Sequence, residues 1–173
     1  MLVVGRLSAE KGQAGIILAV SKILKLGLGW RLVIVGVGPE LETIKKLVIQ
    51  ESCEGLVHFD GFIPDLKKHY RQAAVLIHNS SFEGFPNVIF EAMANGCPVV
   101  ASKSSIIGLF EDITPLRTFE SLDELGMIMD NFVRNPSSLD VLRFVAKQQV
   151  KKYHPDAVVD QWFRAIPSGK VGT

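Results

Sequence analysis

Short runs of β-branched and other apolar residues, each closed by turn chemistry and separated from the next by a longer segment of helical spacing, leave this chain few possible folds. The runs are LVVG (2–5), RLVIVG (31–36), LVHFDG (56–61), AVLIHNS (74–80), PVVAS (98–102) and, more weakly, LRTF (116–119). Most are continuously apolar rather than alternating, which is the pattern of strands buried on both faces of a parallel sheet. Between them lie KGQAGIILAVSKILKLG (11–27), PELETIKKLVIQES (39–52), DLKKHYRQA (65–73) and NVIFEAMANG (87–96). These read as helices, with Gly27 and Gly96 as stops and Pro39 and Pro86 as first-turn residues. Strand–helix alternation in this order predicts an α/β domain with a Rossmann-like, doubly wound parallel sheet of about six strands and extra C-terminal helices. Folds of that kind bind ligands at the carboxyl ends of their strands.

After the last run, SLDELGMIMDNFVRN (121–135) opens with a Ser-x-x-Glu capping box, Ser121 and Glu124. SLDVLRFVAKQQVKKY (138–153) and PDAVVDQWFRAI (155–166) continue it as tail helices, expected on the sheet edge. The small polar residues 167–173 are expected to be disordered, leaving one domain over 1–166.

Composition narrows the function. Lys plus Arg number 19 against 18 for Asp plus Glu, so the net charge of +1 supplies no basic stripe for nucleic acid, and phosphate recognition has to be local. Cys53 and Cys97 lack the spacing of a zinc site or a disulfide framework and read as small buried hydrophobes. No apolar run approaches the ~18 residues of a membrane span. Met1 leads directly into LVVG, so no secretory leader is expected and the expected location is cytoplasmic.

The chemistry is sought at the strand ends. In GRLSAEKG (5–12), Arg6 and Lys11 bracket a helix start, where two cations and unpaired N–H groups suit phosphate; taken in isolation, such a pair is more often two solvated charges on a loop. In GVGPELE (36–42), Gly36 and Gly38 either let backbone approach a ligand or make a tight turn. They do not form a dinucleotide fingerprint, since the third glycine position is Leu41 and the first strand carries none of it, which argues against an NAD-dependent dehydrogenase. In FDGFIPD (59–65), Phe62 and Ile63 after Gly61 offer a flat apolar slot for a base, or simply turn the chain. His78 is either a proton carrier or a hydrogen-bonded structural histidine.

The fourth strand leads into SFEGFPNVIFEAMANGCPVVAS (81–102). Glu83 sits in a Gly/Pro-bearing turn, and Glu91 lies about one turn into a helix among Val88, Ile89, Phe90, Ala92, Met93 and Ala94. Apolar residues all round predict a buried helix. An unpaired carboxylate there would cost several kcal/mol, which a helix-dipole contribution of ~0.3–1 kcal/mol does not offset; the structural alternative is pairing to a core Arg or Lys. Its removal is therefore expected to leave the fold intact or more stable. A hydrolytic acid/base pair would need the two carboxylates to converge ~5–9.5 Å apart; separate contacts at two ends of an elongated ligand suit this spacing better.

Taken in order at these strand ends, GRLSAEKG, VGVGPE, FDGFIPD and SFEGFPNVIFEAMANGCPVVAS resemble the carboxyl-terminal, donor-binding domain of retaining glycosyltransferases of family four, with the GT-B architecture. Glu83 and Glu91 match that family's E-x7-E motif, and the resemblance is strong over residues 2–102. It implies a hexosyltransferase-type enzyme of polysaccharide biosynthesis with a UDP-, GDP- or ADP-sugar donor and no required metal or other cofactor. Arg6 and Lys11 would hold the diphosphate and stabilise the leaving nucleotide. Phe62 and Ile63 would pack the base and Glu91 would accept the ribose hydroxyls. Glu83 would contact the donor sugar at the reaction centre, with Gly84, Phe85, Pro86 and Asn87 cradling sugar and phosphate. Gly38 and Val88 complete the implied donor-contacting set.

This chain departs from the family in KSSIIGLFEDITPLRTF (103–119), where Ser104 and Ser105 replace an expected Gly-Gly turn and Glu111 stands near an expected Glu; sugar specificity depends on that difference. The resemblance also implies an amino-terminal acceptor-binding domain or separate subunit outside this sequence, without which the chain binds a donor but does not transfer its sugar. Any peripheral association with the inner face of a membrane is expected through that missing half. The alternatives are a non-catalytic nucleotide-sugar-binding or regulatory module, or half of a sugar-nucleotide epimerase.

Overall fold

A computed structural model describes residues 1–81, 86–106 and 116–149. Its strands are β1 (Leu2–Val4), β2 (Leu32–Val35), β3 (Val57–Gly61), β4 (Leu76–His78), β5 (Val99–Ser102) and β6 (Leu116–Phe119). They form one sheet in the order β3-β2-β1-β4-β5-β6, and every pairing is parallel. The helices are α1 (Gln13–Leu24), α2 (Leu41–Gln50), α3 (Lys67–Gln72), α4 (Asn87–Ala94), α5 (Leu122–Arg134) and α6 (Ser138–Gln149). This is the Rossmann-like α/β architecture that the alternation predicts.

Burial follows strand order. β4 and β5 are buried at every residue, whereas the edge strands β3 and β6 mix buried and exposed positions. The weakly apolar LRTF run is thus an edge strand, which needs burial on fewer sides. One face of the sheet carries the core cluster built with Ile16, Ile17, Val20, Ile44, Leu125 and Met129, from α1, α2 and α5. The other face packs Tyr70, Ile89, Met93 and Ala146, from α3, α4 and α6, against Leu2, Leu76 and Val99. Each large aliphatic side chain so buried contributes roughly 1.5–3 kcal/mol.

Several boundaries differ from expectation. Of the tail helices, α5 meets the edge strand β6 as expected but lies mainly along α1, and α6 lies along α4, so they sit on opposite faces of the sheet. Pro39 precedes α2, whose N-cap is Glu40, and Pro86 is itself the N-cap of α4. Gly96 (φ 73) closes α4 as expected, its N–H donating to Met93 O while that of Cys97 donates to Ala92 O. Ser121 caps α5 by accepting from Glu124 N at 3.2 Å, but the Glu124 carboxylate reaches back to Glu120 N (2.8 Å), one residue outside the usual box. Both cysteines are free and buried. Residues 155–166 and the 167–173 tail lie outside the described residues.

Candidate functional site

The chain turns from building leftward to building rightward between β1 and β4, which opens a crevice at the carboxyl ends of those strands. Beside it, over the carboxyl ends of β1 and β2, two loops continue the β1–β2 ladder beyond the strands and underlie a separate cleft. Gly5 N donates to Val35 O (3.0 Å), Leu7 N to Val37 O (3.0 Å) and Glu40 N to Leu7 O (3.0 Å). Such close approach requires glycine. A Cβ on Gly38 would overlap the Leu7 carbonyl oxygen and lie 2.6 Å from the Leu7 amide nitrogen, and one on Gly36 would overlap the Gly5 carbonyl. The glycine pair is therefore explained first by backbone packing, although Gly38 also lines the cleft above it.

That cleft has a volume of about 450 Å³ and a mostly apolar lining that includes Val4, Val35, Phe62, Ile63 and Leu66, with Arg6 among its walls. Gly61 turns the chain out of β3 with φ 68, and Phe62 stands 73% exposed beside it. Arg6 is exposed. Its backbone is held from below by Gln13, a residue only 2% exposed, whose Nε2 donates to Arg6 O at 2.8 Å. Lys11 is half-buried at the end of a 3-10 turn, Ala9–Lys11.

Between these cations stands Glu10, which the motif reading passed over. The Ser8 hydroxyl donates to its carboxylate at 2.6 Å, and this bond, a backbone hydrogen bond and the charges of Arg6 and Lys11 hold its carboxyl below the usual range. Glu10 also ties the site together, since its carbonyl accepts from Ser81 N (2.9 Å) and Ser81 Oγ (3.3 Å). With Asn79 Nδ2 donating to Gly12 O at 3.2 Å, the loop after β1 is fastened to the loop after β4. A second cavity, about 480 Å³, lies beside the starts of β1, β2 and β4 at Met1, Arg31 and Ala74, and gathers none of the residues singled out by the motifs.

Glu91 is placed differently from expectation. Within α4 the buried residues are Ile89, Ala92 and Met93, while Asn87, Glu91 and Ala94 are exposed. Positions 87, 91 and 94 form one stripe at helical spacing, and an otherwise apolar composition hides so narrow a polar face. Val88 is half-buried and Pro86 buried. The partner of Glu91 is a neutral phenol rather than a cation: Tyr70 Oη donates to Glu91 Oε2 at 2.9 Å. Burial, then the Glu91 charge and this bond, push ionisation of the Tyr70 hydroxyl far above its ordinary range, so it remains a donor. Tyr70 belongs to α3, whose N-cap Leu66 lines the cleft, whereas Glu91 itself is not among the residues lining it.

Glu83, Gly84, Phe85 and Glu111 lie outside the described residues. Ser104 and Ser105 belong to a hydroxyl cluster at the ends of β4 and β5: Ser102 Oγ and Ser104 Oγ both donate to Ser80 O (3.1 and 2.8 Å), and Ser105 Oγ donates to Ser102 O (2.7 Å). Lys103 beside them pairs with Glu120. His78 is buried at 5% exposure and registered against Ala101 inside the sheet, which fits the structural reading of that residue. Among the described residues, no group of three or more His, Cys, Asp or Glu side chains could hold a metal ion, and no helix is long and apolar enough to cross a membrane.

Comparison with known proteins gives this arrangement a family. Residues 1–108 match the family model described as glycosyl transferases group 1. An uncharacterized glycosyltransferase of Methanocaldococcus jannaschii is 41% identical over 115 residues, covering 65% of this chain and 29% of that protein. Among solved structures, Anabaena HepE in complex with UDP superposes with a TM-score of 0.80 at 23% identity, covering 94% of this chain and 47% of that one. The pneumococcal O-GlcNAc transferase GtfA in complex with UDP and GlcNAc also gives 0.80, at 18% identity and with coverage of 94% and 34%. These likenesses establish a shared fold. The chain spans less than half the length of each of these proteins.

Proposed function

The chain belongs to the glycosyl transferases of group 1, and we propose that it is the donor-binding half of a retaining enzyme of GT-B architecture. In this reading the donor is a nucleoside diphosphate hexose lying across the carboxyl ends of β1 to β4, and the acceptor is a glycan or lipid-linked saccharide. The base rests on Phe62 and Ile63, the ribose hydroxyls donate to Glu91, and the diphosphate lies against Arg6 and Lys11. As the glycosidic bond breaks, charge grows on the departing diphosphate. Two cations sited there stabilise that charge, so the reading requires no metal. The role of Glu83 at the donor sugar, with Gly84, Phe85, Pro86 and Asn87, rests on the motif alone.

The observation that carries the reading is the apolar cleft walled by Phe62, Ile63 and Arg6 at the carboxyl ends of β1, β2 and β3. Two further features support it. The Lys11 turn is fastened to the loop after β4 through Glu10 and Ser81, and two proteins of the same fold are seen with UDP. UDP is accordingly the first donor nucleotide to test, and the acceptor half is assigned to chain outside this sequence.

Calorimetric titration with UDP, GDP and ADP in the presence of EDTA tests the proposal. Saturable binding of at least one of them, with loss on substitution of Arg6, is expected. No binding of any of the three at millimolar concentration would overturn it.

A further inference from the structure

An exposed glutamate on a helix surface samples several rotamers, and ordering it on a ligand weakens binding. Glu91 does not stand alone in this way. Tyr70 Oη donates to Oε2 at 2.9 Å, and Tyr70 is itself 1% exposed, held in the core cluster that includes Leu2, Ile89 and Met93. Its amide donates to the carbonyl of Leu66 (3.0 Å), a residue of the cleft wall. A buried, rigid phenol thus bridges the base-side wall of the cleft to the carboxylate of α4. A carboxylate has about four acceptor positions; the phenol takes one on Oε2 and fixes the plane in which the others point.

We propose that Tyr70 is a positioning residue of the nucleoside site: its hydroxyl locks the Glu91 carboxylate in the orientation that accepts the vicinal ribose diol. The proposal rests on the donor-site reading of Glu91. It adds that selectivity for a ribose diol over its deoxy counterpart depends on a residue that need not touch the nucleotide. The Tyr70–Glu91 bond joins α3 to α4, so the two halves of the crevice are set relative to each other before ligand arrives.

The test is titration of the full chain with whichever of UDP, GDP or ADP binds, and with its 2′,3′-dideoxy counterpart. Tyr70→Phe is expected to weaken the ribonucleotide about three- to tenfold, the loss equivalent to ordering one long side chain on binding, and to leave the dideoxynucleotide unchanged. In a Glu91→Ala background, Tyr70→Phe is expected to have no further effect on ribonucleotide affinity. Equal losses on both nucleotides, or no loss on either, would overturn the positioning role. Should Tyr70→Phe fail to fold, Glu91→Asp, whose shortened carboxylate cannot reach the phenol, is expected to give the same ribose-selective loss; wild-type affinity for it would count against the proposal. A wild-type chain that binds none of the three diphosphates overturns the donor reading as well, whereas wild-type binding with an indifferent Tyr70→Phe overturns this inference alone.

Discussion

Gly38→Ala separates two uses of the glycine pair after β2, close approach to a ligand and close approach to the neighbouring loop. The added Cβ would overlap the Leu7 carbonyl oxygen and lie 2.6 Å from its amide nitrogen and 2.7 Å from its carbonyl carbon. Carbon contacts settle at ~3.5–4.0 Å, so the two backbones must part by about 1 Å. Leu7 is fully buried and bonded on both sides, by Leu7 N to Val37 O and by Glu40 N to Leu7 O, each at 3.0 Å. Overpacking costs ~1–3 kcal/mol and a weakened hydrogen bond ~0.5–1.5 kcal/mol, while the stiffer unfolded chain returns ~0.4–1 kcal/mol. The net is about 2 kcal/mol of destabilisation, or roughly 4–8 °C in Tm for a chain of this size. Thermal and urea melts without nucleotide measure it. Gly55→Ala is the control, because open space surrounds that position and its φ is not in the left-handed range; it is expected to be neutral or slightly stabilising. A Gly38→Ala protein that melts with the wild type yet loses nucleotide affinity would refute the packing argument in favour of ligand approach.

Other expectations follow from the same contacts. Arg6→Ala removes an exposed guanidinium and should leave the melt within ~0.5 kcal/mol while lowering nucleoside diphosphate affinity about 10- to 100-fold; unchanged affinity in titration would remove Arg6 from the diphosphate site. Glu91→Ala leaves the Tyr70 hydroxyl without its acceptor, so melts should show a loss of ~0.5–1.5 kcal/mol and not the gain that a wholly buried helix would imply. Burial pushes the Cys97 thiol up to about 11 from 9.0. Its contribution is present below pH 9 and lost as the pH rises through 11, because only the unfolded chain releases the proton in that window, at a cost of up to about 3 kcal/mol. Urea melts at pH 8 and pH 10.5 should differ more in wild type than in Cys97→Ala, and equal pH dependence in the two would argue against this assignment.

The strand ends were legible because periodicity and turn residues are local properties. Arg6, Lys11, Phe62 and Ile63 each follow a run whose apolar pattern announces a strand. Glu91 was legible as an unusual carboxylate, but its environment was misjudged. Asn87, Glu91 and Ala94 share one exposed face of α4, and local composition counts the apolar neighbours without saying which of them meet the sheet. The sheet-edge placement of the tail helices was only partly right for the same reason: α5 meets edge strand β6 but lies mainly along α1, and α6 packs along α4 on the other face. Glu10 and Gln13 escaped notice because nothing in SAEKGQ marks an ordinary polar residue as a brace for the cation beside it.

By itself the sequence determined the α/β class, the parallel sheet and where its strands end, because strands buried on both faces must be continuously apolar and helices between them must show their period. Only the tertiary structure decided what the special residues meet. Gly38 meets Leu7 and Glu91 meets Tyr70 across separations in the chain that no local pattern spans. Side-chain and backbone contacts of that kind are fixed by how α3, α4 and the strand-end loops pack against one another, and packing is a property of the assembled layers rather than of any one segment.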